Sequence, residues 1–277
     1  MSAMSLTAGL RAEYEQLFAS CRIRPERELA VDQLAERVVA GRHRYAAVTA
    51  ATGVPWFVVA ALHALEAGLR FDRHLHNGDP LRDRTRRVPA GRPRRGAPPF
   101  TWEESAIDAL TLQYLPRARD WSVGATLYRL ERYNGWGYRR FHADVPSPYL
   151  WSFSTYYDRG KYVADGRWSA SARSAQCGAA VLLRRLAERG EIAFATGVTF
   201  AAEPLVSRYA RTRPRHADLA RRAEELQAWL DTFPAVYVRV DGIPGPRTSA
   251  AYRTVTGAYL PGDPRATASP SPRRRPA

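Results

Sequence analysis

Along most of the chain, apolar residues return every three to five positions, the spacing of helices with one buried face. Residues 8–20 and 26–41 carry this pattern. In the second, Leu29, Leu34, Val38 and Val39 mark the apolar face, and Pro25 suits a first-turn position. A short helix is predicted over 43–51, ended by Gly53, and Pro55 opens the next one. That helix runs into ALHALEAGLRFDRHLHNGDPL (61–81), apolar in its first half and a polar turn in its second. Val59, Leu62, Glu66 and Leu69 fall on one stripe of it, so a carboxylate sits on a mainly apolar face.

Residues 82–100 hold seven arginines and four prolines and are predicted to be a loop. Thr101 and Glu104 have capping-box spacing before a further helix. Another helix is expected over 121–133, stopped by Asn134-Gly135; 138–168 reads as irregular, and 169–189 as one long helix. The composition then shifts. Residues 191–217 read as a linker, 218–262 as a small second domain and 263–277 as a disordered tail. In that second part a helix over 215–231, a strand-like run at Val236-Tyr237-Val238, a turn at Asp241-Gly242 and a helix over 247–257 are expected. The predicted fold class is mainly α, with a larger helical domain over 8–190.

Composition changes this picture in two respects. The net charge is +15 from 42 basic and 27 acidic residues, and Lys161 is the only lysine. Such a charge favours polyanionic partners, nucleic acid and anionic cell wall among them, although an arginine-rich composition spread over a solvated surface explains it as well. No nucleic-acid-binding motif accompanies it, and the arginine-rich stretches read as a loop and a tail. Seven tryptophans and fourteen tyrosines are many for this length, enough to fill a core and line a groove. No stretch approaches the ~20 apolar residues of a membrane span, and the first twenty residues lack the apolar core of a secretory signal. Cys21 and Cys177 match no metal-ligand spacing and are expected as small buried side chains.

Glu66 is the first candidate for chemistry. Burial raises a carboxyl pKa, and a raised pKa makes a general acid near neutral pH. Arg70, four residues on, offers the plainer alternative of a surface ion pair. The turn that follows supplies His76, Asn77 and a second carboxylate, Asp79. His63, His74 and His76 form no convincing metal set and read as hydrogen-bonding residues. Tyr133-Asn134-Gly135-Trp136-Gly137-Tyr138 presents an amide between aromatic rings, a combination that suits a sugar, or else an ordinary helix cap with core aromatics. Tyr149, Trp151, Tyr162 and Asp165 add rings and a carboxylate to a candidate groove wall.

A Glu at a helix end, followed by a later helix ending in Tyr-Asn-Gly, resembles the superfamily of goose-type lysozymes and lytic transglycosylases. The strings HNGDPL, VPAGRP, PPFTWEESAIDAL, YNGWGYR, SPYLWSFS, GKYVADG and QCGAAVLLRRL look like a bacterial and phage-associated group of lysozyme-family proteins. The resemblance implies a lysozyme-like helical domain and cleavage of peptidoglycan between N-acetylmuramic acid and N-acetylglucosamine, an N-acetylmuramidase activity. Glu66 would be the acid, with Tyr133, Asn134 and Gly135 in the sugar groove. It also implies no cofactor and no metal. Ala67 departs from the serine that usually follows the glutamate in transglycosylases. Leu226-Gln227-x-x-Leu230 with Asp241, Gly242, Gly245 and Thr248 resembles a three-helix peptidoglycan-binding domain. The expectation is a monomer made in the cytoplasm without a classical signal peptide and acting at the cell wall. An inactive wall-binding protein, or a lytic transglycosylase releasing anhydro products, are the alternatives.

Overall fold

The computed structural model describes residues 4–164, 166–194, 206–233 and 235–267. It is mainly helical, and the chain divides into two compact units, Met1–Ala195 and Thr196–Ala277.

The first unit is built on α1 (Ala8–Ala19), α2 (Glu28–Ala40), α3 (Arg42–Thr52), α4 (Trp56–Ala67), α5 (Trp102–Leu112), α6 (Val123–Asn134), the short α7 (Gly137–Phe141) and α8 (Pro148–Trp151), a hairpin of β1 (Lys161–Ala164) and β2 (Arg167–Ser169), and α9 (Ala179–Glu188). At its centre is α4, where every residue from Phe57 to His63 is buried, as in a helix walled on all sides. It packs on α3, α6 and α9. On α2 the buried stripe is Val31, Ala35 and Val38, whereas Leu29, expected on that face, is 71% exposed. No single helix among the described residues is long and apolar enough to cross a membrane. Cys21 and Cys177 are buried and form no disulfide.

Buried ion pairs join elements inside this unit, since a buried charge needs a partner. Glu131 of α6 accepts the Tyr14 hydroxyl from α1 and Arg139 Nε from α7, the latter at 2.8 Å, tying three elements together. Arg185 of α9, almost fully buried, reaches Glu28 and Asp32 of α2 and Glu188 of its own helix. The Thr101 capping box forms as expected.

Two stretches differ from the sequence expectation. Residues 138–168 contain α7, α8 and most of the hairpin rather than irregular chain, because their rings build a local core: Trp168 stacks on His142 at 3.5 Å and meets Tyr138 and Tyr162 edge-on. The long helix expected over 169–189 is only Ala179–Glu188. Gly178 precedes it in extended conformation, so close to the next segment that an added Cβ would lie 2.2 Å from the Leu150 carbonyl oxygen. The chain must pass α8 there before turning into α9.

The second unit holds α10 (Ala217–Leu230), α11 (Pro246–Thr256) and a 3-10 turn over Pro264–Thr267. Two α-helices are therefore described where three were expected. Val236–Val238 forms no strand. The core is Leu226, Trp229, Leu230, Val236, Val238, Tyr252 and Leu260, with Tyr209 packed against it. Tyr209 and Ala210, expected in the linker, belong to this unit: their amides donate to Pro261 O and Pro244 O. The tail expected to be disordered over 263–277 is ordered at its start, where buried Asp263 pairs with Arg265 at 2.7 Å and Pro264–Thr267 forms the 3-10 turn; residues 268–277 lie outside the described residues.

Candidate active site

Glu66 is the penultimate residue of α4, which ends on Gly68 in left-handed conformation (φ 59°). Leu69 follows in the same conformation, and the chain turns back through residues 74–79. The return is tight: an added Cβ on Gly78 would lie 3.1 Å from the Glu66 carbonyl oxygen, and Gly78 itself has φ 73°. Glycine is required here for both reasons. The turn is therefore pressed against the helix end that carries the carboxyl group.

In front of Glu66 lies a cavity of about 250 Å³. Three helix ends and two loops wall it: Glu66 from α4, Ala109, Leu112 and Gln113 from the end of α5, Tyr133 and Asn134 from the end of α6, His76 from the turn and Pro89 from the arginine-rich loop. Tyr149 at the start of α8 donates its hydroxyl to Glu66 Oε1 at 2.8 Å. Glu66 Oε2 makes no hydrogen bond among the described residues. Arg70 pairs with Asp72 at 2.8 Å instead of with Glu66, which removes the surface ion-pair alternative.

Burial pushes the Glu66 carboxyl up to about 7, and the Tyr149 hydrogen bond offsets part of that rise. Tyr133 and Tyr149 are both pushed upward, first by burial and then by the neighbouring Glu66 charge, so both are neutral hydroxyls. The site thus holds an acid half-protonated near neutral pH, one oxygen fixed by a tyrosine and the other unengaged.

His76, part of the cavity wall, has its Nε2 2.8 Å from Asp108 Oδ2. Burial lowers its pKa, against the opposing pull of Asp108, so the ring is neutral and its N–H donates to the carboxylate. Arg92 Nε donates to the same Asp108 oxygen at 2.8 Å. Asp108, Arg92 and Gln113 escaped sequence reasoning. The usable signal was Ser105, Asp108 and Leu112 at helical spacing after the capping box, a polar pair on the face that also carries buried Ala109.

Several expected groove residues have other work. Asp79 is buried and its carboxylate accepts Arg86 N at 2.8 Å, Arg87 N at 3.0 Å and Arg87 Nε at 2.7 Å. Burial alone would raise its pKa, but these donors outweigh it and bring the group down to about 2. It organises the loop and is not among the groups lining the cavity, which corrects its expected part as second catalytic carboxylate. Asn77 likewise donates to Arg87 O at 2.9 Å and accepts Asp79 N, latching the turn to the loop. Trp151 is buried core, edge-on to Tyr156. Tyr138 is buried beside Trp168 and receives Tyr162 N on its hydroxyl, with Tyr162 packed edge-on against it. Trp136 packs on Tyr128. Gly135 closes α6 with φ 94°. Asp165 lies outside the described residues. Of the expected set, the cavity gathers Glu66, His76, Tyr133 and Asn134, with Tyr149 bonded to Glu66.

In the second unit the expected binding residues surround the buried Gln227. Its Nε2 donates to Asp241 Oδ1, Ile243 O and Thr248 Oγ1, and its Oε1 accepts Asp241 N and Gly242 N, all within 2.9–3.1 Å. Gly242 takes φ 72° in this turn, and Gly245 leads into α11. Asp241 Oδ1 and Thr248 Oγ1 are thus engaged inside the unit.

No family model, curated protein or solved structure matches the chain.

Proposed function

We propose that this protein cleaves the glycan strand of peptidoglycan between N-acetylmuramic acid and N-acetylglucosamine, with Glu66 as the general acid. The reading takes the first unit as a lysozyme-like helical domain and the second as a wall-binding module, acting at the cell wall. The observation that carries it is the Glu66 carboxyl, raised to about 7 at the head of a cavity walled by tyrosine and carboxamide groups. Glu66 Oε2 gives its proton to the leaving glycosidic oxygen. The carboxylate left behind then faces the positive oxocarbenium-like centre and stabilises it.

One observation favours a particular outcome. Glu66 is the only carboxylate among the described residues lining the cavity, and Asp79 is consumed by Arg86 and Arg87. Activation of water by a second carboxylate therefore has no evident agent. The substrate's own 6-hydroxyl, attacking the anomeric carbon while Glu66 turns from acid to base, needs none. The products would then be anhydro sugars, as from a lytic transglycosylase.

The test is to incubate wild type and Glu66→Gln with insoluble peptidoglycan and identify soluble products by mass spectrometry. Anhydro muropeptides from wild type alone are expected. Reducing ends from wild type alone keep the acid but return the nucleophile to water. An active Glu66→Gln variant sinks the mechanism. Wall-bound protein with no products from either makes this a binding protein.

A further inference from the structure

We infer that Gln113 and Tyr114, just past α5, form a sugar subsite on the cavity rim: an N-acetylhexosamine ring stacks on Tyr114 while its acetamido group hydrogen-bonds the Gln113 carboxamide. The inference rests on the glycan reading of the same cavity and adds to it a position and a specificity.

Gln113 lines the same cavity as Glu66, and its carboxamide makes no hydrogen bond among the described residues. Its backbone, by contrast, is held firmly. The amide donates to Ala109 O, and the carbonyl accepts Arg132 Nη2 at 2.8 Å. Arg132 lies two residues before Asn134, so one bond ties together the two helix ends whose carboxamides face the cavity. A carboxamide has both donor and acceptor, and so does an acetamido group. Anchored backbone with an unengaged head group is the arrangement of a preformed recognition site.

Tyr114 is an independent observation. It adopts the left-handed conformation (φ 57°, ψ 20°), which a Cβ disfavours and glycine would take freely. The turn is nevertheless bonded on both sides, Tyr114 N to Thr111 O and Arg117 N to Tyr114 O, and buried Leu115 anchors it. The residue is 62% exposed although Arg117 stacks on its ring at 4.9 Å. The fold gains little from this side chain: the backbone is disfavoured and the residue lies mostly in water. An exposed aromatic ring next in sequence to a cavity-lining carboxamide matches the apolar face of a pyranose ring and its acetamido substituent.

The test is calorimetric titration of wild type and Glu66→Gln with chitotetraose and with cellotetraose, which carries hydroxyls where chitotetraose carries acetamido groups. Tyr114→Ala is expected to weaken both ligands about tenfold. Gln113→Ala is expected to weaken chitotetraose about fivefold and cellotetraose hardly at all. Tyr114→Gly should lose binding like Tyr114→Ala while melting no lower than wild type, an outcome that a merely structural tyrosine would not give. If wild type binds chitotetraose and all three variants bind it equally well, the subsite is wrong and the glycan reading stands. If neither wild type nor Glu66→Gln binds chitotetraose or peptidoglycan, the glycan reading falls and the subsite with it.

Discussion

Glu66 combines a proposed function with a cost. The carboxyl is raised to about 7 by burial, against an ordinary value of 4.5. Between those values the unfolded chain loses its proton while the folded protein keeps it, so stability falls as pH rises through that window and stays reduced above it. Replacing Glu66 by Gln should therefore stabilise the protein at pH 8, by about 1–3 kcal/mol, and have little effect at pH 4. Urea unfolding of both forms at the two pH values measures this. Activity should run the other way, present with the protonated acid and lost as pH rises through about 7. The Tyr149 hydroxyl stabilises the charged form, so Tyr149→Phe should move that alkaline limb upward by about half a pH unit. A limb that stays in place, or moves down, would mean that the Tyr149 bond does not tune the acid.

At the scale of elements, the arginine-rich loop carries Pro89 into the cavity wall, and what holds it there is Asp79 with Asn77. The loop is also closed on itself: Thr85 N donates to Arg92 O, and Phe100 N to Leu81 O. Asp79→Asn keeps the size but removes the charge that faces three N–H donors. A loss of about 1–3 kcal/mol is expected at neutral pH. Because the folded value is depressed to about 2, the contribution is whole above the ordinary 3.8 and disappears as pH falls through about 2, so the two forms should converge in acid. Trypsin offers a sharper readout, since this loop has seven arginines. Cleavage within residues 82–100 should be much faster in Asp79→Asn, and equal rates would show the latch to be dispensable.

At the scale of the whole molecule, each of the two units has its own interior. In the second, one side chain, Gln227, satisfies the backbone N–H groups of Asp241 and Gly242 and the carbonyl of Ile243. Gln227→Ala leaves buried polar groups unpaired and should destabilise that unit by about 2–4 kcal/mol. Scanning calorimetry should show one transition moving down while the transition of the first unit, and cleavage of a soluble glycan, stay unchanged. The net charge of +15 also predicts that retention on an anionic wall weakens with added salt.

The sequence by itself determined most helices of both units, their breaks at Gly53 and Asn134-Gly135, and the place of Glu66 on an apolar helix, although that helix stops at Gly68, short of the Leu69 expected on its stripe. These follow from neighbours along the chain, through spacing, caps and positive-φ glycines. Only the tertiary structure decided where the polar groups are engaged. It bound Asn77 and Asp79 to the loop, buried Trp151, and turned Asp241 and Thr248 towards Gln227. It also kept residues 170–178 out of the helix, because Gly178 must pass the Leu150 carbonyl. The cavity itself arises where the ends of α4, α5 and α6 converge, and Gln113 became visible only there. The physical reason is that conformational preference is carried by adjacent residues, whereas burial and hydrogen-bond partners come from segments far away in sequence.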